Sequence, residues 1–331
     1  MAQVPFWLSP LRHLSPHSAL DVLHKMDQVL AGCPGDATNS NGVHNVRIAV
    51  CGGSDGHEEL DSVECFDPAT SLWQPLTSMS ARRGANAAAT IAGKLYTCGG
   101  LQKTECLSSA ECFDPISAAW EPLPPMLQHR GWAAVTVISE QLFACGGDDG
   151  WRQALSSVER YSVDTKSWEP LPPLSEPRRC AVAADVGGEL WVCGGFDARK
   201  ALSSAECFEA TAGVWQPSPP MSSARVAPAA AVDPATGVLH VCGGFDGRKV
   251  LSSVEHYDPA AGAWKPLPPM LQARAGAAAA VVGGRLYVFG GDDGARLLDS
   301  GECYDPALGL WTVLPAMSVP RYGPAAAIVL L

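Results

Sequence analysis

Four arginines stand a few residues beyond a Gly-Gly pair: Arg152, Arg199, Arg248 and Arg296. Each lies in a short segment that also carries an acid: Asp148-Asp-Gly-Trp-Arg152, Phe196-Asp-Ala-Arg-Lys200, Phe245-Asp-Gly-Arg-Lys249 and Asp292-Asp-Gly-Ala-Arg296. A guanidinium presents a planar fork of donors that matches a carboxylate or phosphate. Asp-Gly is a turn former, so the aspartates are expected to cap their own loops. The turn needs the arginines less. They read either as a ring of donors for an acidic or phosphorylated ligand or as solvated loop charges. Trp151, Phe196 and Phe245 lie beside them, and aromatics with arginine make up the energetic centres of many protein interfaces.

A second set of arginines recurs in phase: Arg83, Arg130, Arg178, Arg225, Arg274 and Arg321. An arginine at the same place in every unit is expected to be structural, bridging to the repeated Glu64, Glu111, Glu159, Glu206, Glu255 and Glu302. The residues around it vary, as a specific binding mouth would. His129, Trp132, Arg179 and Tyr322 are the binding candidates there.

Catalytic patterns are sparse. There is no CxxC pair, and every Gly-Gly belongs to a repeat. Four of the eight histidines fall in the first 44 residues. The Asp148-Asp149 pair reads as turn residues before it reads as an acid–base dyad. The expectation is a chain that catalyses nothing and holds no cofactor or metal.

The positioning elements follow from the repeat itself. Gly-Gly occurs at Gly52, Gly99, Gly146, Gly194, Gly243 and Gly290, at spacings of 47 to 49. A Trp follows the second glycine of each pair by 20 or 21 residues, at Trp73, Trp120, Trp168, Trp215, Trp264 and Trp311, and the arginine follows the Trp by ten. Each unit reads as four short strands divided by Gly, Asp and Pro turns. In the last full unit these are 274–282, Arg285–Phe289, Ser300–Tyr304 and Leu310–Leu314. Phe66, Phe113, Tyr161, Phe208, Tyr257 and Tyr304 are the large plates expected to pack with the tryptophans between sheets.

The run Gly-Gly-Phe-Asp-Gly-Arg-Lys-Val-Leu-Ser-Ser-Val-Glu-His-Tyr-Asp-Pro over 243–259, followed by Trp264 and Pro268-Pro269-Met270, resembles the kelch repeat. It is most similar to the kelch domains of kelch-like (BTB–BACK–kelch) proteins. The resemblance covers about 43–331. Unit four departs with Glu209-Ala210 for Asp-Pro, unit three with Ser162-Val163, and unit one with Arg47-Ile48-Ala49. The resemblance implies an all-β, six-bladed propeller whose ring is closed by the C-terminal strand, 321–331, pairing beside Val46–Cys51. It also implies that the loops after Gly-Gly and those between units line one mouth and grip a peptide or domain. Substrate recognition for a ubiquitin ligase and an actin-associated scaffold are the two roles implied. The enzyme-type propellers offer no match: the sialidase box, the histidine and tyrosine copper ligands, and the Glu-x-x-x-Asp-x-x-x-His iron pattern are all missing.

Composition agrees with a protein-binding role. The chain has 331 residues, 47% hydrophobic and 17% charged, with a net charge of −11. An acidic surface disfavours nucleic acid. No apolar run approaches the roughly 18–20 residues of a membrane helix. The first sixteen residues carry Pro5, Pro10 and Pro16 and no leader pattern, so a cytoplasmic protein is expected. Five of the twelve cysteines fill one repeated slot (Cys51, Cys98, Cys145, Cys193, Cys242) and four another (Cys65, Cys112, Cys207, Cys303). They read as strand positions holding reduced thiols. Adjacent-strand placement leaves oxidation of Cys51 with Cys65, Cys98 with Cys112, or Cys193 with Cys207 open. Residues 1–42 lack the repeat. Leu20, Leu23, Met26, Val29 and Leu30 have helical spacing, so one helix is expected over 17–30. The segment is too short for a BTB or BACK domain.

Overall fold

The structure is a computed structural model that describes residues 46–331, apart from 151, 152 and 211. The extension 1–42 with its expected helix, and the candidates Trp151 and Arg152, lie outside the described residues.

Short strands, most of them stopped by Gly-Gly, Asp-Pro or Pro, build six four-stranded antiparallel sheets among the described residues. In each sheet the strands run in order from the axis outward. Blade two is Ala87–Ile91, Lys94–Cys98, Ala110–Asp114 and Ala119–Leu123. The innermost strands of successive blades pack on one another around the axis. Their runs of alanine permit that crowding. A two-stranded hairpin, Leu101–Gln102 with Glu105–Cys106, decorates the loop of blade two.

Blade one joins the two ends of the repeat array. Its innermost strand, Ala325–Leu330, pairs with Val46–Cys51 in a register that runs from Val46 opposite Leu330 to Cys51 opposite Ala325. The closure expected from the sequence is present, and it removes the free sheet edges an open array would expose. The strand starts later than expected. Arg321 is buried at the preceding turn, Gly323 has φ 62°, and Pro324 lacks a donor, so the ladder begins at Ala325. The same shift holds in the last full unit, where the innermost strand is Ala278–Val282 and its first four residues belong to the connection.

The repeated residues have the parts the spacing assigned. Each Trp packs on the aromatic of the third strand, at 5.1 to 5.4 Å between rings. Each indole N–H also donates to a backbone carbonyl of the preceding blade, at 2.8 to 2.9 Å. The tryptophan therefore couples neighbouring sheets as well as filling the gap between them. The Gly-Gly pairs are required by crowding. Gly243 has φ 62°, and a Cβ there would lie 2.1 Å from the Arg274 carbonyl oxygen of the next blade.

The arginines at the start of each unit are almost fully buried, and so are their glutamates. Arg178 shows the pattern: Nε donates to Glu206 Oε1 at 2.9 Å, and Nη1 donates to the carbonyls of Gly194 and Ser204 at 2.9 and 3.0 Å. Glu206 Oε2 accepts the Ser175 N–H at 2.8 Å. Both charges are satisfied, as burial demands.

The cysteine slots are strand positions. Cys51 lies opposite Val63, while Cys65 lies opposite Ala49, two rungs away. Cys98 with Cys112 and Cys193 with Cys207 share that offset. Diagonal partners of this kind are about 7–8 Å apart, beyond the usual reach of a disulfide. Burial pushes the Cys51, Cys98 and Cys193 thiols up to about 12, which suppresses thiolate chemistry.

Candidate functional site

Two loop sets meet on one face of the ring, which we call the upper face. One follows each Gly-Gly, and the other connects each outer strand to the next blade. They are stitched together by the residue after Gly-Gly and the residue after the buried arginine. Arg179 exchanges backbone hydrogen bonds with Phe196, Val226 with Phe245, Ala275 with Asp292, and Tyr322 with Ser54. The shared mouth implied by the repeat resemblance is formed by these bridges.

One residue further on, the chain turns across the axis. Trp132, Cys180, Ala227, Gly276 and Gly323 each donate an N–H to the corresponding residue of the blade before, beginning at the carbonyl of Ala85, at 2.8 to 3.0 Å. All six have φ between 49° and 62°. The Trp132 and Tyr322 rings lie over this circle, 5.2 Å apart and edge to face. A Cβ on Gly276 would clash with Tyr322, and one on Gly323 would crowd Trp132. The two glycines thus make room for the aromatic pair. Burial raises the Tyr322 phenol to about 12 and the Cys180 thiol to about 12, so both stay neutral.

The candidate basic residues fall into two groups. Arg179 is engaged within the mouth: Nη1 donates to Asp148 Oδ2 at 2.6 Å, and the guanidinium sits 5.2 Å from the centre of the Phe196 ring. The structure thereby joins blades three and four through Asp148, Arg179 and Phe196. Arg199, Arg248 and Arg296 are exposed, on the loops of blades four, five and six. Arg296 is 75% exposed, with Asp293 3.9 Å away.

The acids of those loops are turned to the backbone. Asp197 Oδ1 accepts the N–H groups of Arg199 and Lys200 at 2.7 and 2.8 Å. Asp246 does the same for Arg248 and Lys249, and Asp293 for Ala295 and Arg296. These amide contacts hold the three carboxylates below their usual range. Capping fixes each loop and leaves Arg199, Lys200, Arg248, Lys249 and Arg296 facing solvent along three consecutive blades. Phe245 stands among them at 38% exposure. His129 lies apart from this arc, exposed on the connection into blade three, with Nδ1 2.7 Å from the Cys106 carbonyl oxygen.

The opposite loop of blade one is acidic. Asp55 caps the N–H groups of His57 and Glu58, and Glu58 pairs with Arg82. Exposed bases therefore stand over blades four to six, with Asp292 and Asp293 beside Arg296 on the blade-six loop, while the loop of blade one is acidic. The series of backbone bonds from Ala85 to Gly323 and the Asp148–Arg179–Phe196 contact went unread in the sequence. Both depend on how neighbouring blades are angled, and the available signal was only that Arg179 breaks a run of small residues after the repeated arginine.

The chain belongs to the kelch-repeat family. The Kelch motif matches residues 42–80, 82–127, 130–175, 177–222, 236–271 and 273–318. Comparison with curated proteins finds no match. Among solved structures, the chain resembles the one described as "Structure of YjhT", with a TM-score of 0.67 and 14% identity over 80% of this chain and 97% of that one.

This likeness corrects one expectation. The sequence was read as catalysing nothing, because the motifs of known propeller enzymes are missing. The shared fold with YjhT overturns that exclusion: one propeller scaffold carries binding or chemistry, and missing motifs exclude only the particular reactions they serve.

Proposed function

We propose that this kelch propeller is a protein-interaction module whose upper mouth holds an acidic or phosphorylated segment of a partner. The observation that carries the reading is the arc of Arg199, Lys200, Arg248, Lys249 and Arg296, left exposed because Asp197, Asp246 and Asp293 cap backbone amides instead. Phe245 and Phe196 supply apolar surface beside the donors. A carboxylate or phosphate crossing blades four to six meets several forks, and the acidic loop of blade one disfavours the reverse orientation.

Two cellular roles fit such a module: substrate recognition for a ubiquitin ligase, as in the kelch-like proteins the repeats resemble, or an actin-associated scaffold. Affinity purification from cytoplasm, comparing the wild type with Arg199→Ala/Arg248→Ala/Arg296→Ala, tests the reading. A partner lost from the folded triple variant supports it, and partners retained unchanged refute it. Cullin among the captured proteins favours the ligase role; cosedimentation with actin filaments favours the scaffold.

A further inference from the structure

The opposite, lower end of the axis holds a cavity of about 630 Å³, open to solvent and walled largely by alanine methyls and β-branched side chains of the innermost strands. Its ionisable lining residues are Asp185 and Asp233, both acidic. Asp233 is engaged by its own turn: Oδ1 accepts the Ala235 N–H and Oδ2 the Thr236 hydroxyl. Asp185 is different. Its Oδ1 accepts the Gly188 N–H at 2.8 Å, and among the described residues no donor reaches Oδ2.

The repeat shows that Asp185 is out of place structurally. Its position on the innermost strand, opposite Leu190, is filled in the other blades by Thr90, Val137, Val232, Val281 and Ile328. Five blades put a β-branched side chain there, which suits a strand. Blade four puts a carboxylate there, half-buried and with its pKa raised by desolvation. A half-buried carboxylate beside apolar walls loses part of its hydration, which a cationic group seated in the cavity would replace.

We propose that the lower cavity binds a small organic ammonium ion, with Asp185 as its counter-ion and the methyl walls around its apolar body. An anion is excluded by the two carboxylates. A hard metal cation needs six or more oxygens, which this wall of methyls does not supply. An ammonium with an alkyl or aryl body needs one carboxylate and an apolar enclosure, which it has. The volume falls within the range of small-molecule sites, about 300–1,000 Å³. This site is separate from the upper mouth and does not depend on the reading given above.

The test uses the full chain and the primary amine dansylcadaverine, whose emission rises in apolar surroundings, beside its N-acetylated, uncharged form. The wild type is expected to bind the amine at least about tenfold more tightly than the acetylated form. Asp185→Asn is expected to erase that difference. Asp185→Val, which restores the residue of the other blades, is expected to lose amine binding while melting at or above the wild-type temperature, so loss of binding cannot be assigned to misfolding. Equal binding of the two probes by the wild type, or amine binding retained by both variants, would overturn the proposal.

Discussion

Arg321 Nη2 donates to Glu64 Oε1 at 2.7 Å and joins residues 257 positions apart. It is the sixth copy of a pair found in every blade, and it differs from the others. In the other five the arginine Nε reaches the glutamate, at 2.7 to 3.1 Å. Arg321 Nε is buried without a hydrogen-bond partner. The pair that fastens the two ends of the chain is thus the one with a donor unmet, which makes blade one the expected place for the ring to open.

Removing one side of a buried pair costs about 3–5 kcal/mol. Arg321→Ala and Arg178→Ala are both expected to lose stability of that order in chemical denaturation. They are expected to differ in where they loosen. Hydrogen exchange should rise in 46–76 and 321–331 for Arg321→Ala, and around blade four for Arg178→Ala. The same exchange pattern in both would remove the special role of the closing pair.

Deleting 321–331 takes away Arg321 and the whole innermost strand of blade one. The truncated chain exposes the edge of Val46–Cys51 and is expected to melt well below the full chain and to aggregate. An unchanged midpoint and solubility would refute closure by this strand.

Ala198 has φ 77°, at the loop position where Gly56, Gly150, Gly247 and Gly294 have φ 91° to 97°. A side chain in that region costs about 1–2 kcal/mol, partly offset by the lower unfolded-state entropy of alanine. Ala198→Gly is therefore expected to gain about 0.5–1 kcal/mol, and Gly247→Ala to lose a similar amount or more. Paired thermal melts decide this, and destabilisation by Ala198→Gly would count against it.

His240 and His256 face each other across strands of blade five, with rings 5.9 Å apart and both Nδ1 atoms buried without partners. Burial lowers both, His240 to about 4; the neighbouring Lys265 also lowers His256, while Asp233 and Asp258 oppose the shifts. A folded-state value below the unfolded one means that the unfolded chain binds the proton first. His240 therefore contributes stability above about pH 6.5 that is lost as pH falls toward 4, on the order of 3 kcal/mol at most. Tyr96, Phe143, Trp191 and Tyr287 hold its position in other blades. His240→Phe is expected to flatten the acid side of the stability curve, and an unchanged slope between pH 6.5 and 4 would show that His240 does not set it.

The six-fold phase of Gly-Gly, Trp, Glu and Arg made the blades and their closure legible, because each residue serves the same local need in every copy. Strand starts were less legible. The residues after each arginine look like strand in composition, but they turn across the axis, and the series of bonds from Ala85 to Gly323 uses backbone groups that leave no mark on residue type. The exposed Arg199, Arg248 and Arg296 were visible as loop residues. The engagement of Arg179 by Asp148 was not, since it spans two blades. Asp185 was readable in principle: alignment of the six units sets a carboxylate against five β-branched side chains.

The central claim is that the basic arc over blades four to six selects an acidic segment. The most direct test is selection from a random peptide library, including phosphorylated members, on the full chain and on Arg199→Ala/Arg248→Ala/Arg296→Ala, with both shown to be folded by thermal melting. The account predicts that the wild type enriches acidic or phosphorylated peptides and that the triple variant loses them. Enrichment without acidic character, or the same peptides held by the variant, would contradict it.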